Sequence, residues 1–61
     1  MKERIMYRRL GEFEVWIEKV FFSYDVVVID RGRTTTTTLK HLEDAKRMVE
    51  QMTKIARRGN A

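Results

Sequence analysis

The chain contains no cysteine. That excludes a disulfide framework and any metal site held by thiolates. It has one serine, Ser23, and one histidine, His41, too little for a nucleophile and base to be argued as a pair. A lone histidine beside Glu43 and Asp44 falls short of three or four convergent metal ligands. Its acidic neighbours read instead as stabilisers of a helix start. Gly11, Gly32 and Gly59 are isolated, so no glycine-rich loop cradles a phosphate. No apolar run approaches the roughly 18 residues that span a bilayer, and the opening MKERIMYRRL lacks the apolar region of a secretory signal. These shortages point away from an enzyme, a cofactor, a metal, a small-molecule substrate or a membrane partner, and toward a cytoplasmic protein.

What is present suits one small folded unit. Sixty-one residues, 43% hydrophobic and 36% charged, make a single domain over 1–61. A domain this short buries only about 60% of its unfolded surface, so self-association is the most available source of extra stability. Thirteen Lys and Arg against nine Asp and Glu give a net charge of +4, which favours polyanions without specifying one.

The segment LKHLEDAKRMVEQMTKIARR reads as a helix over 41–58, with residues 59–61 as a tail. Leu42, Ala45, Val49, Met52 and Ala56 recur at spacings of three and four, and Met48 and Ile55 widen the stripe. Glu43–Arg47 and Glu50–Lys54 are i,i+4 pairs in the favourable order. The stripe reads as core-facing, since it is short for a coiled-coil seam.

Residues 12–39 read as antiparallel strands. In EFEVWIEKVFF, Phe13, Val15 and Ile17 share one face and Glu12, Glu14, Trp16 and Glu18 the other. Past Lys19 the phase breaks, which predicts a bulge or bend. YDVVVID is apolar on both faces and reads as a central strand. For Asp30-Arg31-Gly32 a three-residue loop with Gly32 left-handed is expected, because a two-residue turn forces Arg31 to positive φ. The five threonines that follow are β-branched and make a strand, not a linker. In that register Thr35, Thr37 and Leu39 join Val27 and Ile29 on the helix side, while Thr34, Thr36 and Thr38 lie beside Val26 and Val28. Residues 1–10 read as an edge strand or an arm on the sheet.

The expected fold class is α+β: an antiparallel sheet of three or four strands with one C-terminal helix on one face. The outer face, carrying Trp16, Val26 and Val28, is too apolar to stand in water, so the arm, a second copy or a partner is expected over it. Glu12 and Glu14 read as solvation, not as a catalytic carboxylate pair.

Two functions fit. Arg8 with Arg9, Arg31 with Arg33, and Arg57 with Arg58 are pairs at segment ends, where guanidinium groups grip phosphates. Thr34 and Thr36 add hydroxyls and methyls suited to a groove. The nucleic-acid candidates are thus Arg8, Arg9, Arg31, Arg33, Thr34 and Thr36. The alternative is a protein-interaction module, a homodimer or an inhibitor, using Trp16, Val26 and Val28 as the partner interface.

The stretch from Thr34 to Glu50, with Thr38-Leu39 leading into Leu42-Glu43-Asp44-Ala45, resembles the last strand and helix of arm-type DNA-binding domains of phage and transposon integrases. It is also similar in layout to AP2-type domains. The resemblance implies a sheet that reads DNA on the face away from the helix, with Trp16, Arg31, Arg33, Thr34 and Thr36 placed for contact. The glutamates of EFEVWIE depart from that family's basic face and shift the expected contacts to the loop arginines and the N-terminal arm. Small phage-encoded inhibitors of host enzymes look similar in the same strand-to-LEDA-helix stretch, which implies a blocked protein partner instead.

Overall fold

Four consecutive strands lead into one helix in the computed structural model, which describes residues 3–59. The strands are β1 (Arg4–Leu10), β2 (Phe13–Val20), β3 (Ser23–Asp30) and β4 (Arg33–Leu39), and the helix is α1 (Leu42–Gly59). They form an antiparallel meander in the order β1-β2-β3-β4. The fold is α+β, as the residue patterns predict. Of the segment read as an edge strand or an arm, Arg4–Leu10 is an edge strand paired to β2. The 60–61 part of the expected tail lies outside the described residues, as do Met1 and Lys2.

All three hairpins close with two-residue turns, since Leu10 faces Phe13, Val20 faces Ser23 and Asp30 faces Arg33. Their backbones differ. Gly11 has φ 60, while Arg31 and Gly32 have φ 52 and 83. Positive φ at both central positions is the type I′ pattern, whose twist matches that of the flanking strands. At Phe21–Phe22 neither residue has positive φ, so that turn lacks the favoured hand.

These turns correct three expectations. The β3–β4 loop has two residues, not three, and Arg31 accepts the left-handed conformation. The phase break after Lys19 is the Phe21–Phe22 turn itself, because β2 and β3 stay in register from Phe13–Asp30 to Val20–Ser23. Most consequentially, Val26 pairs with Ile17 and Val28 with Val15. Val26 and Val28 therefore face the helix, and Val27 and Ile29 face outward, the reverse of what was expected. A one-residue change of register moves every side chain of a strand to the other face.

The core lies between sheet and helix. Phe13, Val15, Ile17 and Val26 meet Ala45 and Val49, with Tyr24, Val28, Leu39, Leu42, Met48 and Met52 closing its margins. Ala45 and Val49 are fully buried, small enough to bring the helix close to the sheet. Thr53 continues the row one turn later and bonds its hydroxyl to the Val49 carbonyl at 2.7 Å, which satisfies the buried oxygen within the helix. Ile55, expected on the stripe, is 65% exposed. Its neighbours Met52 and Ala56 take the core side, so the buried face is narrower than the sequence stripe.

Around Trp16 the outer face is covered by side chains of β1. Ile5 pairs with Ile17 and Arg8 with Val15, so Met6 and Tyr7 together oppose Trp16 in a β-bulge. Met6, at φ 53, absorbs the extra residue. The bulge lets both Ile5 and Met6 pack against the core while Tyr7 and Arg4 remain on the far side. The Tyr7 ring stacks on Trp16 at 6.0 Å and 30°, and the Arg4 guanidinium lies 4.2 Å from the Trp16 ring centroid, within cation–π range. The indole nitrogen donates to Glu18 at 3.1 Å. Trp16 is consequently only 5% exposed. Of the three coverings that the apolar outer face called for, the N-terminal strand supplies this one.

Candidate nucleic-acid interface

Strand polarity decides which charged residues meet. β1 and β3 end, and β4 begins, at the same end of the sheet, because Leu10, Phe13, Asp30 and Arg33 form one cross-strand row. The helix starts at the opposite end and returns. Eighteen residues at 1.5 Å each cover about 27 Å, close to the roughly 26 Å of an eight-residue strand. Its last turn therefore reaches the same end as the β1–β2 and β3–β4 turns. Gly11, Asp30, Arg31, Ile55 and Gly59 indeed line one shallow hollow there, of about 490 Å³. The two turns are also tied directly, by a hydrogen bond from the Arg31 amide to the Glu12 carbonyl at 3.4 Å.

The consequence is electrostatic. Arg8 and Arg9 from β1, Arg31 and Arg33 from the β3–β4 turn, and Arg57 and Arg58 from the helix end all lie toward one end of the fold, spread across it from the β1 edge to the β4 edge. All six are exposed. Among the described residues none of these guanidinium groups is ion-paired; the pair seen there is Arg47–Asp44 at 3.7 Å. Arg8 donates to the Tyr7 carbonyl at 3.1 Å and Arg9 to the Gly11 carbonyl at 3.3 Å, which orients both side chains and leaves most of their five donors free. Carboxylates at this pole come from Glu12 and Asp30, and the helix C-terminus adds partial negative charge beside Arg57 and Arg58. Positive charge still dominates.

The candidate residues separate by position. Arg8, Arg9, Arg31 and Arg33 share one end of the sheet, Arg8 and Arg9 on the β1 edge and Arg33 on the β4 edge about 14 Å away, and Thr34 stands next to Arg33 on the outer face, opposite Ile29. Thr36 lies further along, opposite Val27, about 10 Å from Arg33 at strand spacing. Register places Arg9 on the outer face with Glu14 and Arg8 on the helix side with Val15. Arg57 and Arg58 join the cluster only through the length of the helix, which periodicity shows but which cannot be aimed without the strand count.

The outer sheet face is a poor bed for phosphates. Glu14, Glu18 and Asp25 share it with Trp16, and Trp16 is already covered by Tyr7 and Arg4. The Tyr7 hydroxyl donates to Glu14. This bond, followed by partial burial and the Glu14 charge, raises the Tyr7 pKa above its ordinary 10.0. Thr38 donates to Asp25 at 2.7 Å. The expected partner interface of Trp16, Val26 and Val28 is not assembled, because Val26 and Val28 pack beneath the helix and Trp16 lies on the other side.

Elsewhere, no hydrogen bond joins Ser23 to His41, and no group of three or more metal-ligating side chains occurs among the described residues. No described helix is long and apolar enough to cross a membrane. Compared with protein-family models, curated proteins and solved structures, the chain finds no match.

Proposed function

We propose that this domain binds nucleic acid by its sugar–phosphate backbone, gripping it with the arginine pole and not with the open sheet face. The observation that carries the reading is the placement of three separate arginine pairs across one end of the fold, with none of them ion-paired to a carboxylate among the described residues. Guanidinium groups present a planar fork that fits phosphate oxygens bidentately. Contacts of this kind position a duplex without reading its sequence. The antiparallel sheet with a C-terminal helix is the layout that the integrase arm-type resemblance implies, but the acidic outer face argues for contact through the turns and the helix end. A cytoplasmic location suits the reading, since nucleic acid is at hand there and a cysteine-free chain needs no oxidising compartment.

The test is anisotropy of a labelled duplex titrated at several salt concentrations. Engagement of about four phosphates gives a log–log salt slope near −3.6, a loss on the order of a hundredfold between 50 and 200 mM salt. Replacing Arg31 and Arg33 together with alanine should bring the slope about 1.8 closer to zero. An unchanged slope refutes this site.

A second reading, a protein-interaction module, is favoured by the opposite pole. Phe21 and Phe22 at the β2–β3 turn are 91% and 96% exposed, and large apolar side chains held in water at a loop tip suit insertion into a partner's pocket. Loss of a captured partner on changing both to alanine, with nucleic-acid binding intact, decides for it.

A further inference from the structure

The sheet has two open edges, and they differ. β1 is guarded by the bulge at Met6–Tyr7 and by Arg4, Arg8 and Arg9, the devices that keep an edge from pairing with another chain. β4 has no bulge, and its charge is confined to Arg33 at its first position. It runs without a register shift against β3, and between Arg33 and Lys40 it carries only threonine and leucine. It is also the strand that the helix covers least.

The backbone phase of β4 follows from its turn. Asp30 and Arg33 flank a two-residue loop and exchange hydrogen bonds, so odd-numbered residues of β4 direct their N–H and C=O groups to β3. Thr34, Thr36 and Thr38 then direct theirs outward. The bond from the Arg31 amide to the Glu12 carbonyl fits the same phase, since it leaves the backbone of Asp30 turned toward β4.

We propose that β4 is a homodimer edge, paired antiparallel with β4 of a second copy so that one eight-stranded sheet runs through both chains. The register is specified. Thr36 lies opposite its own copy on the two-fold axis, Thr34 opposite Thr38, Thr35 opposite Thr37, and Arg33 opposite Leu39. Only this register uses every outward N–H and C=O of Thr34, Thr36 and Thr38, giving six backbone hydrogen bonds across the axis. A shift of two residues in either direction pushes one threonine against the Arg31–Gly32 turn or against Lys40 and loses two of the six. Shifts of one residue put the two helices on opposite faces. A second copy fits better than an unrelated strand because the edge matches itself: threonine meets threonine on both faces, and Arg33 meets a leucine, so no like charges are opposed. The groove along β4, lined by Val28, Thr35, Thr37, Met48 and Met52, joins its copy across the axis into one cleft between the two helices.

The test combines mass with amide exchange. Light scattering should show a shift from monomer to dimer as concentration rises from low micromolar to millimolar. Over that range the Thr34, Thr36 and Thr38 amides should become protected, while Thr35 and Thr37 are protected throughout by β3. Thr36→Lys, which opposes two ammonium groups on the axis, should weaken dimerisation at least tenfold and return the three amides to fast exchange, with circular dichroism unchanged. Thr36→Pro deletes that outward donor from each copy without touching the β3 ladder, and should likewise weaken dimerisation and return the Thr34 and Thr38 amides to fast exchange. A monomer mass at the highest concentration overturns the proposal. So does a dimer that survives Thr36→Lys, or one in which the three even-numbered amides stay unprotected.

Discussion

Arg31 offers the sharpest check on how this fold is held, because it sits where glycine or asparagine belongs. A left-handed backbone costs a residue with a Cβ about 1–2 kcal/mol, and Arg31 adopts it at φ 52. Its side chain returns nothing evident to the fold, being exposed and unpaired among the described residues. Its backbone bond to Glu12 survives any substitution except proline. Arg31→Asn creates Asn-Gly, the preferred type I′ pair, and should recover about 0.5–1 kcal/mol of that strain. For a domain near 60 residues, each kcal/mol moves the melting temperature by about 4–8 °C, so a rise of about 2–8 °C is expected by circular dichroism. The same change should bring the nucleic-acid salt slope about 0.9 closer to zero. Arg33→Asn is the control, since it removes the same charge at a position without positive φ. If Arg33→Asn stabilises equally, and the gain of both vanishes in high salt, relief of arginine repulsion is the cause and the strain argument fails. No rise for Arg31→Asn refutes it outright. The result expected is a residue kept for binding at the expense of stability, a common pattern at functional sites.

Other consequences are as direct. Ile17→Ala should cost about 2–5 kcal/mol, roughly half of a total near 3–9 kcal/mol for this length, so its urea midpoint by circular dichroism should fall to about half that of the wild type. Thr53→Val should be neutral to about 1 kcal/mol stabilising in thermal melts, because the Val49 carbonyl keeps its helical partner and no buried donor is orphaned. The Tyr7 pKa is raised by its bond to Glu14, so the neutral phenol is the stabilised form. Its contribution is complete below the unfolded pKa near 10 and fades as pH climbs through the higher folded value. The urea midpoint of Tyr7→Phe should therefore start lower and fall less than that of the wild type as pH rises beyond about 10. Replacing Phe21-Phe22 with Asn-Gly should stabilise by about 1 kcal/mol in thermal melts, by supplying the turn hand that the native pair lacks.

The elements were legible where one periodicity ruled. Glu12 to Glu18 alternate cleanly, the threonine run can only be a strand after a turn, and the 3.6-residue stripe from Leu42 to Ala56 admits one reading. Phase was not legible in YDVVVID, because a strand apolar on both faces gives no sign of which face is inside. The identical threonines beyond it could not break the tie, so register hung on the length of a single turn. The cost of a left-handed arginine argued for three residues there; the observed register uses two. The Phe21–Phe22 turn carries no glycine, asparagine or proline to announce it, and the β1 bulge rests on Met6, which gives no warning either. The arginine pairs were visible as pairs. Their placement at one end of the fold was not, since it depends on β1 being a fourth strand and on the helix matching the sheet in length.

The position of Trp16 has a spectroscopic consequence. The one indole in the chain lies on the side of the sheet away from the helix, beneath Tyr7 and Arg4 of the first strand. Its emission therefore reports how β1 is laid down and is blind to the docking of α1, whereas far-ultraviolet ellipticity is dominated by that helix. The protein thus carries two native probes on opposite layers, and the coincidence or separation of their unfolding curves tells whether 61 residues cooperate as one unit or shed the edge strand first.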